Sequence, residues 1–132
     1  MDESVEDIPT GGEGITVAVR VRPPKADNRS AWKTLPQYNA ITQLGPDGKP
    51  MQGANAVFNV DRVFDDQTTH KSLYDSVCSN VVRSVVTGIN GTIFAYGQTS
   101  SGKTYTMQGA EANKGMLQYA AEDIFARITA SS

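Results

Sequence analysis

Residues 97–104 read Gly97, Gln98, Thr99, Ser100, Ser101, Gly102, Lys103 and Thr104, a complete GxxxxGK[ST] pattern directly behind the apolar run Thr92, Ile93, Phe94, Ala95 and Tyr96. An apolar run, a glycine-rich turn and a helix-capable segment in that order confine the chain to a strand, loop and helix unit of the α/β class. Glycines let the backbone curl until successive N–H groups point into one concavity. The helix that opens near Gly102 adds the positive end of its dipole to the same anion site. There Lys103 can reach the β- and γ-phosphates of a nucleotide, and the Thr104 hydroxyl can ligate Mg²⁺. The competing reading is a Gly/Ser-rich turn with an ordinary surface lysine. The near-continuous apolarity of 92–96 predicts a strand buried on both faces.

Length and charge narrow the class. A chain of 132 residues suits one domain. Residues 1–13 carry Asp2, Glu3, Glu6 and Asp7 and read as a flexible acidic leader, neither a secretory nor a mitochondrial signal, which leaves 14–132 as the domain. The formal net charge of −2 argues against a general nucleic-acid footprint. Apolar stretches are broken by charges such as Arg83, so no membrane insertion is expected. The single cysteine, Cys78, excludes an internal disulfide, fits a reducing compartment and reads as a small core residue.

Along the chain, Ile15, Val17, Val19 and Val21 alternate with Thr16, Ala18, Arg20 and Arg22, predicting a strand over 15–22 that Pro23 and Pro24 end. Residues 25–56 are polar and turn-rich around Gly45, Pro46, Asp47 and Gly48, which suggests a small surface hairpin rather than core, with Trp32 in no readable pattern. Residues 57–64 read as one further strand. Leu73, Val77, Val81 and Val85 recur every four residues within 69–87, predicting a helix with one buried stripe, capped at Gly88. The helix after the loop should falter at Gln108 and Gly109, and a last amphipathic helix should run over 116–128.

If strand 15–22 runs parallel to 92–96, then Arg20, Arg22 and Pro23 emerge on the rim that holds the phosphate loop, where Arg20 and Pro23 can flank a base or ribose. The alternative is that arginines alternating on a strand face are merely solvated or ion-paired. Tyr105, in the first turn after Thr104, can stack on adenine or pack against the sheet; the sequence leaves both open. Asp61 superficially resembles a Mg²⁺-holding aspartate at a strand end. It is rejected because that residue normally follows the phosphate loop in chain order and Arg62, Val63 and Phe64 continue the strand. His70, the sole histidine, is expected to lie exposed in a first helical turn, and no Ser/His/Asp or Cys/His arrangement can be built around it.

Three segments together resemble the N-terminal part of a kinesin motor domain. They are Val19-Arg20-Val21-Arg22-Pro23, the run from Phe58 to Phe64, and the stretch from Gly88 through Asn90, Gly91 and the phosphate loop to Tyr105, Thr106, Met107, Gln108 and Gly109. The likeness spans 14–128 and implies an α/β P-loop NTPase with a kinesin-type mixed central sheet flanked by helices, incomplete in this chain. It implies ATP or ADP with Mg as cofactors, Lys103 as the catalytic lysine, and Arg20, Pro23 and Tyr105 around the adenine. Microtubules are the implied partner, bound through regions this chain lacks, and the cytoplasmic microtubule cytoskeleton the implied location. Tyr105 with the Val-Arg-Val-Arg-Pro segment leans toward the centromere-type and plant branches. Asn80 and Gln118 depart from common prolines, and Pro24 from a common leucine.

After Ser132 such a motor would continue into two switch segments, the main microtubule-binding helix and a neck linker. The expectation is therefore that the 132-residue chain alone lacks turnover and folds poorly. The rival is a non-motor nucleotide-binding or interaction module. A small phosphotransferase is disfavoured, because a lid needs arginines and only Arg127 follows Lys103.

Overall fold

The computed structural model describes residues 14–26, 29–53 and 56–132, so the expected leader over 1–13 lies outside the described residues. Two units divide the chain, Ile15–Thr68 and Thr69–Ser132. The first holds five short strands, β1 (Ala18–Arg20), β2 (Trp32–Leu35), β3 (Ala40–Gln43), β4 (Val57–Asn59) and β5 (Arg62–Phe64). Strands β2, β3 and β4 form an antiparallel sheet in that order, and β1 pairs in parallel with β5, Val19 opposite Val63.

The expected single strand over 57–64 is thus two strands. Its first half pairs antiparallel with β3 and its second half parallel with β1, so the chain changes sheet at Val60 and Asp61. Asp61 fastens the change: the Val17 N–H donates to its Oδ2 at 2.7 Å, and its own N–H donates to the Val17 carbonyl at 3.0 Å. That carboxylate therefore serves the backbone, although the strand breaks at Asp61 instead of running past it. The expected strand over 15–22 contracts to β1 because its partner is three residues long. Ile15 and Val17, from the apolar face of the expected strand, are exposed.

Residues expected to form only a surface hairpin contribute core. Ala40 and Thr42 of β3 are buried, and the Thr42 hydroxyl donates to the Ala56 carbonyl at 2.8 Å, which removes the cost of burying it. Trp32 gains a role, its ring 5.9 Å from that of Phe58 across the sheet. The turn at Gly45 to Lys49 closes as expected, with Asp47 Oδ1 accepting from the Lys49 N–H at 3.1 Å and Gly48 at φ 75°.

The second unit is helical. Helix α1 (His70–Leu73), a five-residue π-helical turn (Tyr74–Cys78) and α2 (Ser79–Val86) run on without interruption from the N-cap Thr69, whose hydroxyl accepts from the Ser72 N–H at 3.2 Å. The expected stripe is displaced by one residue beyond Leu73. Leu73, Cys78 and Val82 are buried together with Tyr74, whereas Val85 is exposed. The π turn supplies the reason: it takes up one residue more than an α turn, so every later position rotates onward. The helix ends as Gly88 predicted, at φ 101°, with its N–H on the Val85 carbonyl and the Ile89 N–H on that of Ser84, both at 3.0 Å. A Cβ on Gly91 would stand 2.5 Å from Val81 Cγ1, so only glycine lets the chain pass this close to α2.

Residues 92–96 do not form the expected buried strand. They join no ladder among the described residues, and Phe94 and Tyr96 are 71% and 95% exposed. A parallel strand stays buried only where neighbours take its N–H and C=O groups. Among the described residues no strand edge takes up residues 92–96. For the same reason no mixed central sheet is present among the described residues, which instead hold small sheets of two, three and two strands. Mixed α/β character is borne out.

Helix α3 (Lys103–Gln108) stops where expected and leads through the two-residue strands β6 (Gly109–Ala110) and β7 (Asn113–Lys114) into α4 (Met116–Ala130). That hairpin is so tight that a Cβ on Gly109, at φ 74°, would overlap the Asn113 carbonyl oxygen. Gln118 caps α4: its Oε1 accepts from the Gly115 N–H at 3.0 Å, and its Nε2 donates to the Gln108 carbonyl at 2.6 Å. A proline there could do neither. Met116 packs beside Cys78, with the sulfurs 3.7 Å apart. The Tyr74 hydroxyl donates to Asp123 Oδ2 at 2.6 Å while Arg127 Nε holds Oδ1 at 2.8 Å. No helix of the described residues is long and apolar enough to cross a membrane.

Candidate functional site

The phosphate loop is a turn made by two left-handed residues. Ser100 sits at φ 67° and Gly102 at φ 106°, and between them the Ser101 N–H donates to the Gln98 carbonyl at 3.1 Å. Gly102 takes this conformation freely; Ser100 takes it against the usual steric cost to a residue with a Cβ. Gly97 contributes differently, since a Cβ there would overlap the Ser101 hydroxyl and make that side chain move. The loop's first and last glycines therefore do different work: Gly97 admits a side chain and Gly102 turns the backbone into α3.

From Gly102 the helix begins at once, the Thr106 N–H donating to the Gly102 carbonyl at 2.9 Å. As at any helix start, the first N–H groups have no partner within the helix itself. Lys103 is half-buried and its ammonium donates back to the Gly97 carbonyl, closing the loop upon itself. Ser101 Oγ is buried with no hydrogen-bond partner. An anion with several acceptor oxygens fits such a lining, because an ammonium, a hydroxyl and backbone N–H groups all donate. Gln98, Thr99 and Thr104 are exposed along the loop.

Tyr105 does not pack against a sheet, the second of the two positions left open by the sequence alone; it packs against a histidine. Its ring lies 4.6 Å from that of His70, tilted by 56°, and the residue keeps 41% of its surface accessible. His70 is correspondingly not exposed but 7% accessible, and its Nδ1 lies 2.7 Å from the Lys114 carbonyl oxygen. A carbonyl can only accept, so Nδ1 carries the proton. His70 Nε2 is buried with no hydrogen-bond partner. Sequence reasoning missed this residue because α1 supplies the ring while α3 and β7 supply its surroundings, and no local pattern announces that meeting.

Arg20 and Pro23 belong to the other unit, Arg20 half-buried at the end of β1 and Pro23 exposed just beyond it. A strand over 92–96, beside which they would emerge on the loop's rim, is not formed. Away from the loop, burial pushes the Cys78 thiol up to about 11, which makes it an inert core group. Burial first, and then the Asp123 carboxylate, raise the Tyr74 phenol. No group of His, Cys, Asp and Glu among the described residues could hold a metal ion.

The family model described as Kinesin motor domain matches residues 20–132. "Kinesin-like protein KIN-7N" of Arabidopsis thaliana is 44% identical over 88% of this chain, and "Centromere-associated protein E" of Homo sapiens is 42% identical over 86%. "Kinesin heavy chain" of Caenorhabditis elegans is 38% identical over 78%. The lean toward centromere-type and plant members agrees with the first two. The chain spans 14%, 4% and 12% of the length of these relatives. The loop geometry stands within a match that runs from the last residue of β1 through α4, and the chain belongs to the kinesin motor-domain family.

Proposed function

We propose that residues 14–132 are the nucleotide-binding, N-terminal portion of a kinesin-type, microtubule-stimulated ATPase with a P-loop NTPase fold. Gly97, Gln98, Thr99, Ser100, Ser101 and Gly102 cradle the phosphates of ATP or ADP. Lys103 stabilises charge on the β- and γ-phosphates, acting as the catalytic lysine, and Thr104 holds Mg²⁺. The metal, when bound, neutralises charge on the phosphate oxygens. Arg20, Pro23 and Tyr105 surround the adenine.

The chain's own chemistry is a competition at Lys103. Its ammonium is held by the Gly97 carbonyl, and a phosphate must displace that weaker, uncharged acceptor. Binding therefore opens the loop's self-contact, and the exchange favours the ligand because an anionic oxygen is the stronger partner. The Ser101 hydroxyl gains a partner in the same step. In the complete motor, segments beyond this chain would sense the γ-phosphate, position the attacking water and bind the microtubule. The protein would work in the cytoplasm on the microtubule cytoskeleton, without nucleic-acid partners or membrane insertion.

The observation that carries this reading is the curl of Gly97 to Thr104 through two left-handed residues into α3, within a chain of this family. Calorimetric titration of the 132-residue chain with MgADP is expected to show binding that Lys103→Ala abolishes. Binding that survives this substitution would overturn the site assignment. No turnover is expected from this chain by itself; microtubule-stimulated phosphate release from it would overturn that part of the reading.

A further inference from the structure

His70 stands where three segments of the second unit meet. It opens α1, its ring packs at 4.6 Å against Tyr105 in the first turn of α3, and its Nδ1–H is tied to the Lys114 carbonyl of β7 at 2.7 Å. An imidazole buried to this degree is held by two attachments of different kinds. The hydrogen bond fixes which way the ring plane faces, and the ring plane then fixes Tyr105. With Nδ1 committed and Nε2 buried without a partner, the ring cannot turn over without exchanging which nitrogen meets the carbonyl. Tyr105 is two residues from Lys103, so any tilt imposed on its ring is imposed beside the phosphate loop.

We propose that His70 is a positioning residue for base recognition: it sets the ring of Tyr105 so that the accessible part of that ring receives the adenine of a bound nucleotide. This inference rests on the nucleotide site proposed above. His70 touches no ligand and acts only through Tyr105. It therefore contributes to affinity for the base and not for the phosphates, which the loop and Lys103 hold independently. A merely structural histidine would affect both equally.

The test uses the 132-residue chain and two probes, MgADP and magnesium tripolyphosphate, the second having phosphates but no base. His70→Asn keeps a side-chain donor for the Lys114 carbonyl and removes the ring. It is expected to weaken MgADP roughly three- to tenfold, the range of an aromatic pair, while leaving tripolyphosphate unchanged. His70→Phe keeps a ring against Tyr105 but not the hydrogen bond to Lys114, and is expected to weaken MgADP less than His70→Asn does; unchanged tripolyphosphate affinity in both variants shows that they are folded. In a Tyr105→Ala background, His70→Asn is expected to have no further effect on MgADP. Equal losses for both probes, no loss for either, or an undiminished effect in the Tyr105→Ala background would overturn the proposal. Failure of the site itself looks different. Wild-type protein that binds neither probe, or binds both regardless of Lys103→Ala, overturns the nucleotide site and this inference with it.

Discussion

Two adjacent stretches, residues 92–96 and residues 97–104, were equally legible in the sequence and fared oppositely in the structure. The loop forms its turn, with Gly97 and Gly102 each answering a local steric demand. The apolar run ahead of it stays outside every ladder among the described residues and leaves Phe94 and Tyr96 to solvent. A glycine turn is closed by atoms a few residues apart. A strand is closed only by another strand, however apolar its own sequence. The same division separates the cap at Gly88, which formed as read, from the stripe upstream of it, which the π turn displaced.

The contrast can be broken from the loop side first. Gly97→Val would drive a branched side chain into Ser101, and the loop must open to admit it. Titration with MgADP is expected to show a loss of about a hundredfold or more, consistent with about 3 kcal/mol at the upper end of overpacking costs. Gly102→Ala adds no overlap but places a Cβ at φ 106°, worth about 1–2 kcal/mol of strain. Thermal unfolding should register that as a lowered midpoint, with a MgADP loss of roughly tenfold. If either variant binds like the wild type, the loop is not locally encoded.

The packed helical part offers a reference for what burial does. Cys78 and Tyr74 titrate above their ordinary values of 9.0 and 10.0, so the unfolded chain loses these protons before the folded one does. Their contribution to stability is complete below pH 9 and falls as pH rises through about 11 for the thiol, with the phenol extending the loss further. Denaturant midpoints measured from pH 8 to 11 should decline in that window, and alkylation of Cys78 should be slow until the protein unfolds. A flat profile would mean that this core is not closed.

The smallest effect is expected in the apolar run. Tyr96→Ser should change stability by no more than about 0.5 kcal/mol, as for an ordinary surface position, where a buried strand residue would cost about 3–5 kcal/mol. Hydrogen exchange should agree, with amides of 92–96 exchanging fast and those of α2 protected. A large cost for Tyr96→Ser would restore the buried strand that the sequence suggested.

Much of the candidate site was readable from residue types alone. The loop, the helix after it, its early stop at Gly109 and the final helix all appear, α4 running two residues beyond the expected end. The strand at 57–64 was legible as extended chain but not as a change of sheet, because alternation says nothing about which neighbour a strand will take. Gln118 was noticed only as a missing proline. Its capping of Gly115 and its reach to Gln108 depend on the hairpin that brings those residues together.

What the sequence determined by itself is everything that short-range sterics can enforce: the left-handed glycines, the closed turn of the phosphate loop, the Schellman end of α2 and the family to which the chain belongs. The tertiary structure alone decided the fate of side chains whose partners are remote. It buried His70 against Tyr105 and the Lys114 carbonyl, joined Tyr74 to Asp123, set Asp61 on the Val17 amide, and left Phe94 and Tyr96 exposed. The physical reason is range. Backbone conformation is set by atoms within a few bonds, whereas burial and pairing are set by whichever surface the rest of the chain brings near.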